Sequence, residues 1–196
     1  MTLVDDRIEM ADTDDKTHLD ELFEVFERTP AFEGYRVEVV EGVVYMVPQR
    51  SVHWEIILEI IRALDRTFDG KIKVFSDVRI DFPGEENAFC PDVAKLRDDA
   101  KPDGMGRWRH QDVEFVAEVV SRGTGKNDYG PKKTAYALAG VPVYLIADPY
   151  QRKCHVYTEP GDGDYVKEVV VAFGAALDLK VTPLGFVLRT DRFPSD

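Results

Sequence analysis

The hydrophobic positions of the chain follow a helical period in a first segment near its amino end. From Leu19 to Phe26, apolar residues recur every three or four positions, which places them on one face of a helix. Thr17, with Asp20 three residues later, resembles a capping box, and Pro30 disfavours helical conformation in the residue before it. The pattern therefore predicts a helix that starts after Thr17 and stops near Pro30.

Two further helices are predicted from the same spacing. Apolar residues from Trp54 to Phe68 form a stripe, and Ser51 stands before it as a potential N-cap. A later segment, from about Asp128 to Ala139, is amphipathic and precedes Gly140, a residue type that commonly ends helices.

Strands are predicted where apolar residues alternate with polar ones or form short unbroken runs. The segments with this pattern are 35–40, 43–47, 71–82, 91–96, 113–120, 142–147, 154–158, 165–172 and 177–188. Glu41-Gly42 separates the first two segments and predicts a hairpin. The run from Val113 to Val120 is nearly all apolar, as expected of a strand covered on both faces. Lys95 is predicted to be exposed, on the strand face opposite Leu96.

The order of these elements predicts an α/β or α+β domain. A parallel strand pair around the helix at 128–139 would form a right-handed βαβ unit. The hairpins before and after it indicate a mixed sheet flanked by helices, with an added amino-terminal helix and hairpin and a β-rich carboxy-terminal tail. Residues 1–16 are acidic and lack periodicity, so they are predicted to be a disordered tail, and residues 17–196 are predicted to form a single domain.

Composition narrows the class of protein. The chain has 196 residues, of which 44% are hydrophobic and 32% charged, as in ordinary globular proteins. No apolar run approaches the roughly 20 residues that span a bilayer, and the first residues lack the pattern of a signal peptide. Cys90 and Cys154 fall in or beside apolar runs and are interpreted as buried thiols. These features predict a cytoplasmic protein without a membrane partner.

The charge of the chain is unevenly distributed. A formal net charge of −12 argues at first against a nucleic acid partner. Residues 1–38, however, carry twelve acids and only four basic residues. Between Lys101 and Lys133 there are seven Lys or Arg residues and five Asp or Glu residues. The acidity therefore belongs mainly to the amino-terminal segment, and it does not exclude a nucleic acid elsewhere on the surface.

Two acids, Asp92 and Glu118, interrupt strands that otherwise indicate burial. A buried acid must be paired, protonated or bound to a cation. If the two strands are neighbours, these carboxylates could hold Mg²⁺ or Mn²⁺, and a lysine on the next helix could orient or deprotonate a water that attacks a phosphodiester. The alternative is structural: backbone amides cap Asp92, and Glu118 pairs with Lys132 or Arg122. Spacing alone leaves both interpretations open.

An ordered set of short motifs changes the weight of these alternatives. The motifs are Glu38–Gly42, Ser51–His53, Pro91–Ala94, Ala117–Ser121, Asp128–Lys132, Tyr136–Val141 and Tyr144–Pro149. Together they resemble the Uma-two family of restriction-endonuclease-like proteins, members of the PD-(D/E)XK nuclease superfamily. The resemblance extends from Tyr35 to about Thr158, roughly two thirds of the chain. It implies a restriction-endonuclease-like fold.

The resemblance also implies roles for four residues. Asp92 and Glu118 match the metal ligands, and the metal implied is Mg²⁺ or Mn²⁺. The superfamily usually places a lysine two residues after the second acid, where this chain has Val120. Lys132, on the following helix, is implied to take over that role, and Glu38 is implied to complete the catalytic site.

Other candidate residues carry two interpretations each. His53, Lys126 and Lys133 are candidates for phosphate contacts, although His53 could equally cap its helix and the lysines could simply be exposed. Glu55 or Glu59 could supply the additional acid in place of Glu38, although a solvated helix face is the ordinary interpretation.

The activity implied by the resemblance is metal-dependent hydrolysis of DNA phosphodiester bonds. A homodimer is expected because nucleases that cut both strands are often dimers. The alternative from another class is a nuclease-like fold that serves as a binding or dimerisation module without cleavage. A hydrolase of small phosphate compounds is a third option.

Overall fold

The computed structural model describes residues 17–29, 35–47, 50–84 and 86–195. The acidic tail predicted for residues 1–16 lies outside these ranges. The helices described are α1 (His18–Arg28), α2 (Ser51–Thr67), α3 (Gly125–Tyr129) and α4 (Pro131–Leu138). The strands described are β1 (Arg36–Val40), β2 (Val43–Val47), β3 (Lys73–Phe75), β4 (Ile80–Phe82), β5 (Asn87–Phe89), β6 (Val93–Leu96), β7 (Trp108–Arg109), β8 (Val113–Val119), β9 (Val143–Asp148), β10 (Lys153–Pro160), β11 (Tyr165–Ala172), β12 (Ala176–Asp178) and β13 (Val187–Arg189). None of the helices in the described ranges is long and apolar enough to cross a bilayer.

The strands form two sheets and a short pair. The central sheet has six strands in the order β11-β10-β9-β8-β6-β3, and the second sheet has five in the order β2-β1-β5-β4-β7. In the central sheet β8 and β9 are parallel, while their other neighbours are antiparallel. Helices α3 and α4 lie in the connection between the parallel strands. The predicted mixed sheet with flanking helices is therefore confirmed.

Each face of the central sheet contributes to a separate apolar cluster. On one face, α2 packs Ile56, Ile57 and Ile60 against the sheet. On the other face lie the second sheet and α4, with Phe89 and Tyr136 in the cluster. Side chains of a strand alternate between faces, and β8 is covered on both sides, as predicted from its apolar run.

The alternation along β8 decides where its acid lies. Phe115, Ala117 and Val119 belong to the cluster with α2. Val116 and Val120 belong to the cluster with α4 and the second sheet. Glu118 has the same parity as these two valines, so it faces α4 and the second sheet.

The predicted strand over residues 71–82 is wrong in its continuity. Its first part is β3 in the central sheet, and its last part is β4 in the second sheet. Between them Asp77 adopts a positive φ of 58°, a conformation that Asp tolerates better than most residues, and its N–H donates to the carbonyl of Pro91 at 3.0 Å. Alternating apolar residues continue through both parts, so the pattern does not reveal the change of sheet.

The predicted helix over residues 128–139 is divided in two. Gly130 has φ −120° and ψ −105°, angles outside the usual regions for other residues, and it separates α3 from α4. Pro131 follows at the first turn of α4, where its missing N–H removes no helical hydrogen bond. The helical segment also begins earlier than predicted, at Gly125.

Two single-residue predictions are also wrong. Ser51 is the first residue of α2 and not its cap; the N-cap is Arg50, whose side chain makes no capping hydrogen bond. Lys95 is buried, with 3% exposure. Its ammonium pairs with Glu114 and lies 4.8 Å from the centre of the Phe68 ring, which together accommodate the charge under the end of α2.

The predicted strand over residues 177–188 is also wrong in its continuity. The structure has two short antiparallel strands there, β12 and β13. The turn between them contains Pro183 and Gly185, and Gly185 has a positive φ of 66°.

Other early predictions agree with the structure. The capping box at Thr17 and Asp20 is present, and α1 ends at Arg28 with Thr29 as C-cap. The hairpin of β1 and β2 turns at Glu41-Gly42, and both residues have positive φ. Cys90 and Cys154 are free and buried, as predicted.

Candidate functional site

A cluster of buried charged side chains lies between the central sheet, the second sheet and α4. Its acids come from β1, from the residue before β6, from β8 and from α3. The exposed fraction of each acid and of the central lysine lies between 1% and 5%. These residues are Glu38, Asp92, Glu118, Asp128 and Lys132. The antiparallel register pairs Val93 with Ala117, which brings Asp92 beside Glu118 at the next position.

Lys132 lies at the centre of the acids. Its Nζ is 2.9 Å from Oε1 of Glu38 and 2.9 Å from Oε1 of Glu118. Oδ1 of Asp128, one turn earlier in sequence, is 3.5 Å from the same nitrogen. The structure therefore brings together Glu38, Glu118 and Lys132 as predicted, and it also shows the pairing of Glu118 with Lys132 that the structural alternative contains.

Arg36 is the second cation of the cluster. It stands two residues before Glu38 on β1, so both side chains project from the same face of the strand. Its guanidinium Nη1 donates to Oδ1 of Asp92 and lies 3.4 Å from Oδ1 of Asp77. The side chain of Arg36 is 8% exposed. The Arg36–Asp92 ion pair is thus buried, and it joins the second sheet to the first residue before β6.

The carboxylates of Asp92 and Glu118 accept further hydrogen bonds. Oδ2 of Asp92 accepts from the N–H of Val119 at 2.7 Å, and the N–H of Asp92 donates to Oε2 of Glu118 at 3.3 Å. The hydroxyl of Tyr136 donates to Oε1 of Glu118 at 2.6 Å. These bonds fix the orientation of both carboxylates before any ligand binds.

Burial changes the titration of the cluster. It raises the pKa of Asp92, although the Arg36 guanidinium and the Val119 N–H act in the opposite direction. It also raises the pKa of Asp128 well above its usual value, since Lys132 only partly offsets burial and the Glu118 and Glu38 charges add to it. Uptake of a proton or of a cation would relieve the charge at these acids.

Lys132 is held in its charged form. Burial lowers its pKa, but the Glu118, Glu38 and Asp128 carboxylates more than offset burial, so the pKa lies above the ordinary value of a lysine. At neutral pH the side chain is therefore an ammonium group. In this arrangement it can donate hydrogen bonds and stabilise negative charge, but it cannot accept a proton from water.

The donor set fits a divalent cation in chemical type and in charge. Carboxylate oxygens are the ligands that Mg²⁺ prefers. Four buried carboxyl groups face two cations, Arg36 and Lys132, so complete ionisation of the four would leave an excess of two negative charges. In the described ranges no group of three or more His, Cys, Asp or Glu side chains is arranged to hold an ion. An ion shared by Asp92 and Glu118 would require Arg36 to release Oδ1 of Asp92.

The other predicted candidates lie apart from these contacts. His53 is buried in the first turn of α2, the helix on the opposite face of the central sheet. Lys126 is exposed, and Lys133 pairs with Asp164 at 2.9 Å. Glu55 is exposed, and Glu59 lies 2.7 Å from Arg62. Among the three candidate acids, Glu38 is the one that joins the cluster, while the phosphate contacts of the other residues stay predictions.

Sequence reasoning missed three members of the cluster: Arg36, Asp128 and Tyr136. A signal for each was present. Arg36 stands two positions before Glu38 in a predicted strand, and Asp128 and Tyr136 stand four positions before and after Lys132. These are the spacings at which side chains share a face of a strand or of a helix.

Comparison with known proteins supports a family and a fold. A family model described as "Uma2: Putative restriction endonuclease" matches residues 23–191. The structure resembles the crystal structure of a putative nuclease belonging to DUF820 from Anabaena variabilis ATCC 29413, with a TM-score of 0.69 and 16% identity. The match covers 91% of this chain and 98% of that one, so the two proteins share a fold over nearly their whole length. No curated protein matches the chain.

Proposed function

We propose that this chain, which belongs to the Uma2 family of putative restriction endonucleases, is a metal-dependent endonuclease that hydrolyses DNA phosphodiester bonds. One observation carries the proposal. Buried carboxyl groups from two sheets and α3 converge around Lys132 and Arg36, and when all four are ionised their negative charge exceeds the positive charge of these two cations. Burial of unbalanced charge is costly, and a divalent cation would balance it.

In this function Asp92 and Glu118 would hold the ion, Mg²⁺ or Mn²⁺. When bound, such an ion stabilises charge on a phosphoryl group and lowers the pKa of a water. Lys132, as an ammonium group, would donate hydrogen bonds to the attacking water or to a phosphate oxygen. Glu38, 2.9 Å from Nζ of Lys132, would keep that group oriented. Tyr136 would hold Oε1 of Glu118 in place through its hydroxyl.

The fixed orientation of these groups supports the proposal. Preorganised donors and carboxylates in a site that excludes water act more strongly than the same groups in solution, and they need no rearrangement during the reaction. Glu118 is held by Lys132, by Tyr136 and by the N–H of Asp92. A metal ligand of this kind would be positioned before the ion arrives.

A second function, a binding or dimerisation module without cleavage, is favoured by a different observation. Both oxygens of Asp92 already have donors, Arg36 on one side and the N–H of Val119 on the other. In this alternative the cluster only joins the two sheets. The homodimer expected from the resemblance is compatible with either function and stays a prediction.

Calorimetry and a nicking assay on the same samples test the choice. We expect the wild-type protein to bind Mg²⁺ or Mn²⁺ and to nick supercoiled plasmid DNA. Asp92→Asn removes one charge of the ion's ligand set, so metal binding should be lost and nicking should fall by about 100-fold or more, since the ion supplies several kcal/mol of stabilisation.

Asp112→Asn is the matched control. Asp112 is also buried and ion-paired, but its partner is Arg97, at 2.8 Å, and not a member of the cluster. It should bind metal and nick DNA as the wild type does. Metal binding without nicking of DNA would indicate that the substrate is another phosphodiester, such as RNA. No metal binding by the wild-type protein would contradict the nuclease and favour the module.

A further inference from the structure

We propose that Arg36 binds the phosphate of the substrate, and that a divalent ion frees it for this role by replacing it on Asp92. The inference rests on the proposed function, because it concerns the same site. It assigns a substrate-contacting role to a residue outside the predicted set of Asp92, Glu118, Lys132 and Glu38.

The position of Arg36 is the first support. Its side chain is more than nine-tenths buried, and it lies among the acids rather than on the surface. Its Nη1 donates to Oδ1 of Asp92, the carboxylate that would hold the ion. The other acceptors of Nη1, Asp77 and the carbonyl of Cys90, are both 3.4 Å away. Asp92 is therefore its main anchor, and that anchor would be lost to a bound ion.

The second support is an unused donor. Nε of Arg36 is buried and has no hydrogen-bond partner among the described residues. A buried N–H without an acceptor is unfavourable, so an acceptor placed at Nε would stabilise this arrangement. The guanidinium group presents its N–H groups in a planar fork that matches the oxygens of a phosphate, and it keeps its charge at all working pH values. A phosphate oxygen at Nε would supply the missing acceptor.

These two observations predict an exchange of partners. Without metal, Arg36 neutralises Asp92. With a divalent ion bound, the ion would neutralise Asp92, and the Arg36 guanidinium would be available to an anionic group. Arg36 and the ion therefore compete for one oxygen of Asp92. The apparent affinity for the ion is the intrinsic affinity multiplied by the fraction of molecules in which Arg36 has released that oxygen.

A purely structural Arg36 and a phosphate-binding Arg36 predict different results for Arg36→Gln. Glutamine removes the competitor and the phosphate contact together. We expect Mn²⁺ affinity, measured by calorimetry, to rise several-fold. The increase in melting temperature on adding Mn²⁺ should also be larger than in the wild type. The kcat for plasmid nicking should fall by about 100-fold, as for removal of a preorganised donor to a developing charge.

Arg36→Lys is the second variant, and it keeps the experiment decisive if Arg36→Gln does not fold without metal. Lysine preserves the charge beside Asp92 but lacks the Nε donor and the planar fork. It should fold, bind Mn²⁺ with nearly wild-type affinity and still lose nicking by about tenfold or more. Folding of Arg36→Gln only in the presence of Mn²⁺ would itself support the exchange.

The outcomes separate the two proposals. If the wild type binds Mn²⁺ and nicks DNA, and both variants nick as fast as the wild type, the role of Arg36 is wrong while the nuclease stands. Weaker Mn²⁺ binding by Arg36→Gln would likewise show that Arg36 is only a structural counter-ion. If the wild type neither binds Mn²⁺ nor nicks, both proposals fall.

Discussion

Replacing Lys132 with methionine should lower the free energy of unfolding by about 3–5 kcal/mol near pH 7, the usual cost of removing one partner from a buried ion pair. Methionine is similar in length, so the loss comes from charge and not from a cavity. The buried carboxyl groups of Glu38, Glu118 and Asp128 would lose the ammonium group that now lies 2.9 to 3.5 Å from them. Urea denaturation in metal-free buffer measures the change.

The difference in the free energy of unfolding between the wild type and the Lys132→Met variant should become smaller as the pH falls from 7 to 5. Burial already raises the pKa of Asp128 well above its usual value, and loss of Lys132 removes the charge that opposes this shift. A carboxyl group whose pKa is higher in the folded state binds protons that the unfolded chain has released, so its folded form gains stability as the pH falls through that window. In the wild type, the raised pKa of Lys132 gives a contribution that is complete below about pH 10.4 and is lost only as the pH rises further.

Lys133→Met is the matched control for this prediction. Lys133 is the next residue of α4, and its partner Asp164 has a side chain that is 67% exposed. Such a pair contributes at most about 1 kcal/mol. Equal destabilisation by the two substitutions would contradict a stabilising role of Lys132 among the buried acids. A loss of unfolding free energy in Lys132→Met that grows toward pH 5 would contradict it as well.

Replacing Glu118 with glutamine should reduce Mg²⁺-dependent nicking by about 100-fold or more. Glu118 accepts from Nζ of Lys132 at 2.9 Å, from the hydroxyl of Tyr136 at 2.6 Å and from the N–H of Asp92 at 3.3 Å. An amide has one acceptor oxygen, so its NH₂ group would face at least one of these donors. The substitution also removes one of the two proposed ligand charges, and metal affinity should fall with it.

Glu59→Gln provides the comparison for Glu118→Gln. Glu59 is an acid that the sequence allowed as a site residue, but it lies on α2 and pairs with the half-exposed Arg62. This variant should bind metal and nick DNA like the wild type. Wild-type nicking by Glu118→Gln, or an equal loss in both variants, would show that Glu118 holds no catalytic ion. Calorimetry with Mg²⁺ and initial rates on supercoiled plasmid distinguish these results.

The positions of Asp92 and Glu118 could be predicted because their surroundings are local. Glu118 interrupts an apolar strand, Asp92 directly precedes one, and these adjacent strands of one sheet bring the two acids together. Arg36 could not be assigned in the same way. Its strand belongs to the second sheet, and the contact with Asp92 exists only because that sheet packs on the central one. Hydrophobic periodicity describes the faces of a strand, but it does not say which other sheet covers them.

Two errors in the predicted fold, at Asp77 and at Lys95, also come from packing between elements that are distant in the sequence. The break at Asp77 divides a run that alternates throughout, because both halves enter sheets and only the destination differs. The sequence pattern predicts that Lys95 is exposed, but the end of α2 and Glu114 cover its side chain and accommodate its charge. At Gly130 the following proline was a local signal for the break between α3 and α4, and helical periodicity across it concealed the signal.

The charged cluster has a consequence for how the molecule comes apart. Arg36 and Glu38 belong to one sheet, while their partners Asp92, Glu118 and Lys132 belong to the other sheet and its helix. Separation of the two sheets would break these buried ion pairs together and leave their charged groups without partners. They should therefore behave as one foldon, whose buried amides exchange their hydrogens together rather than sheet by sheet. Admission of a cation and the first step of unfolding would then begin with the same event, the parting of Arg36 from Asp92.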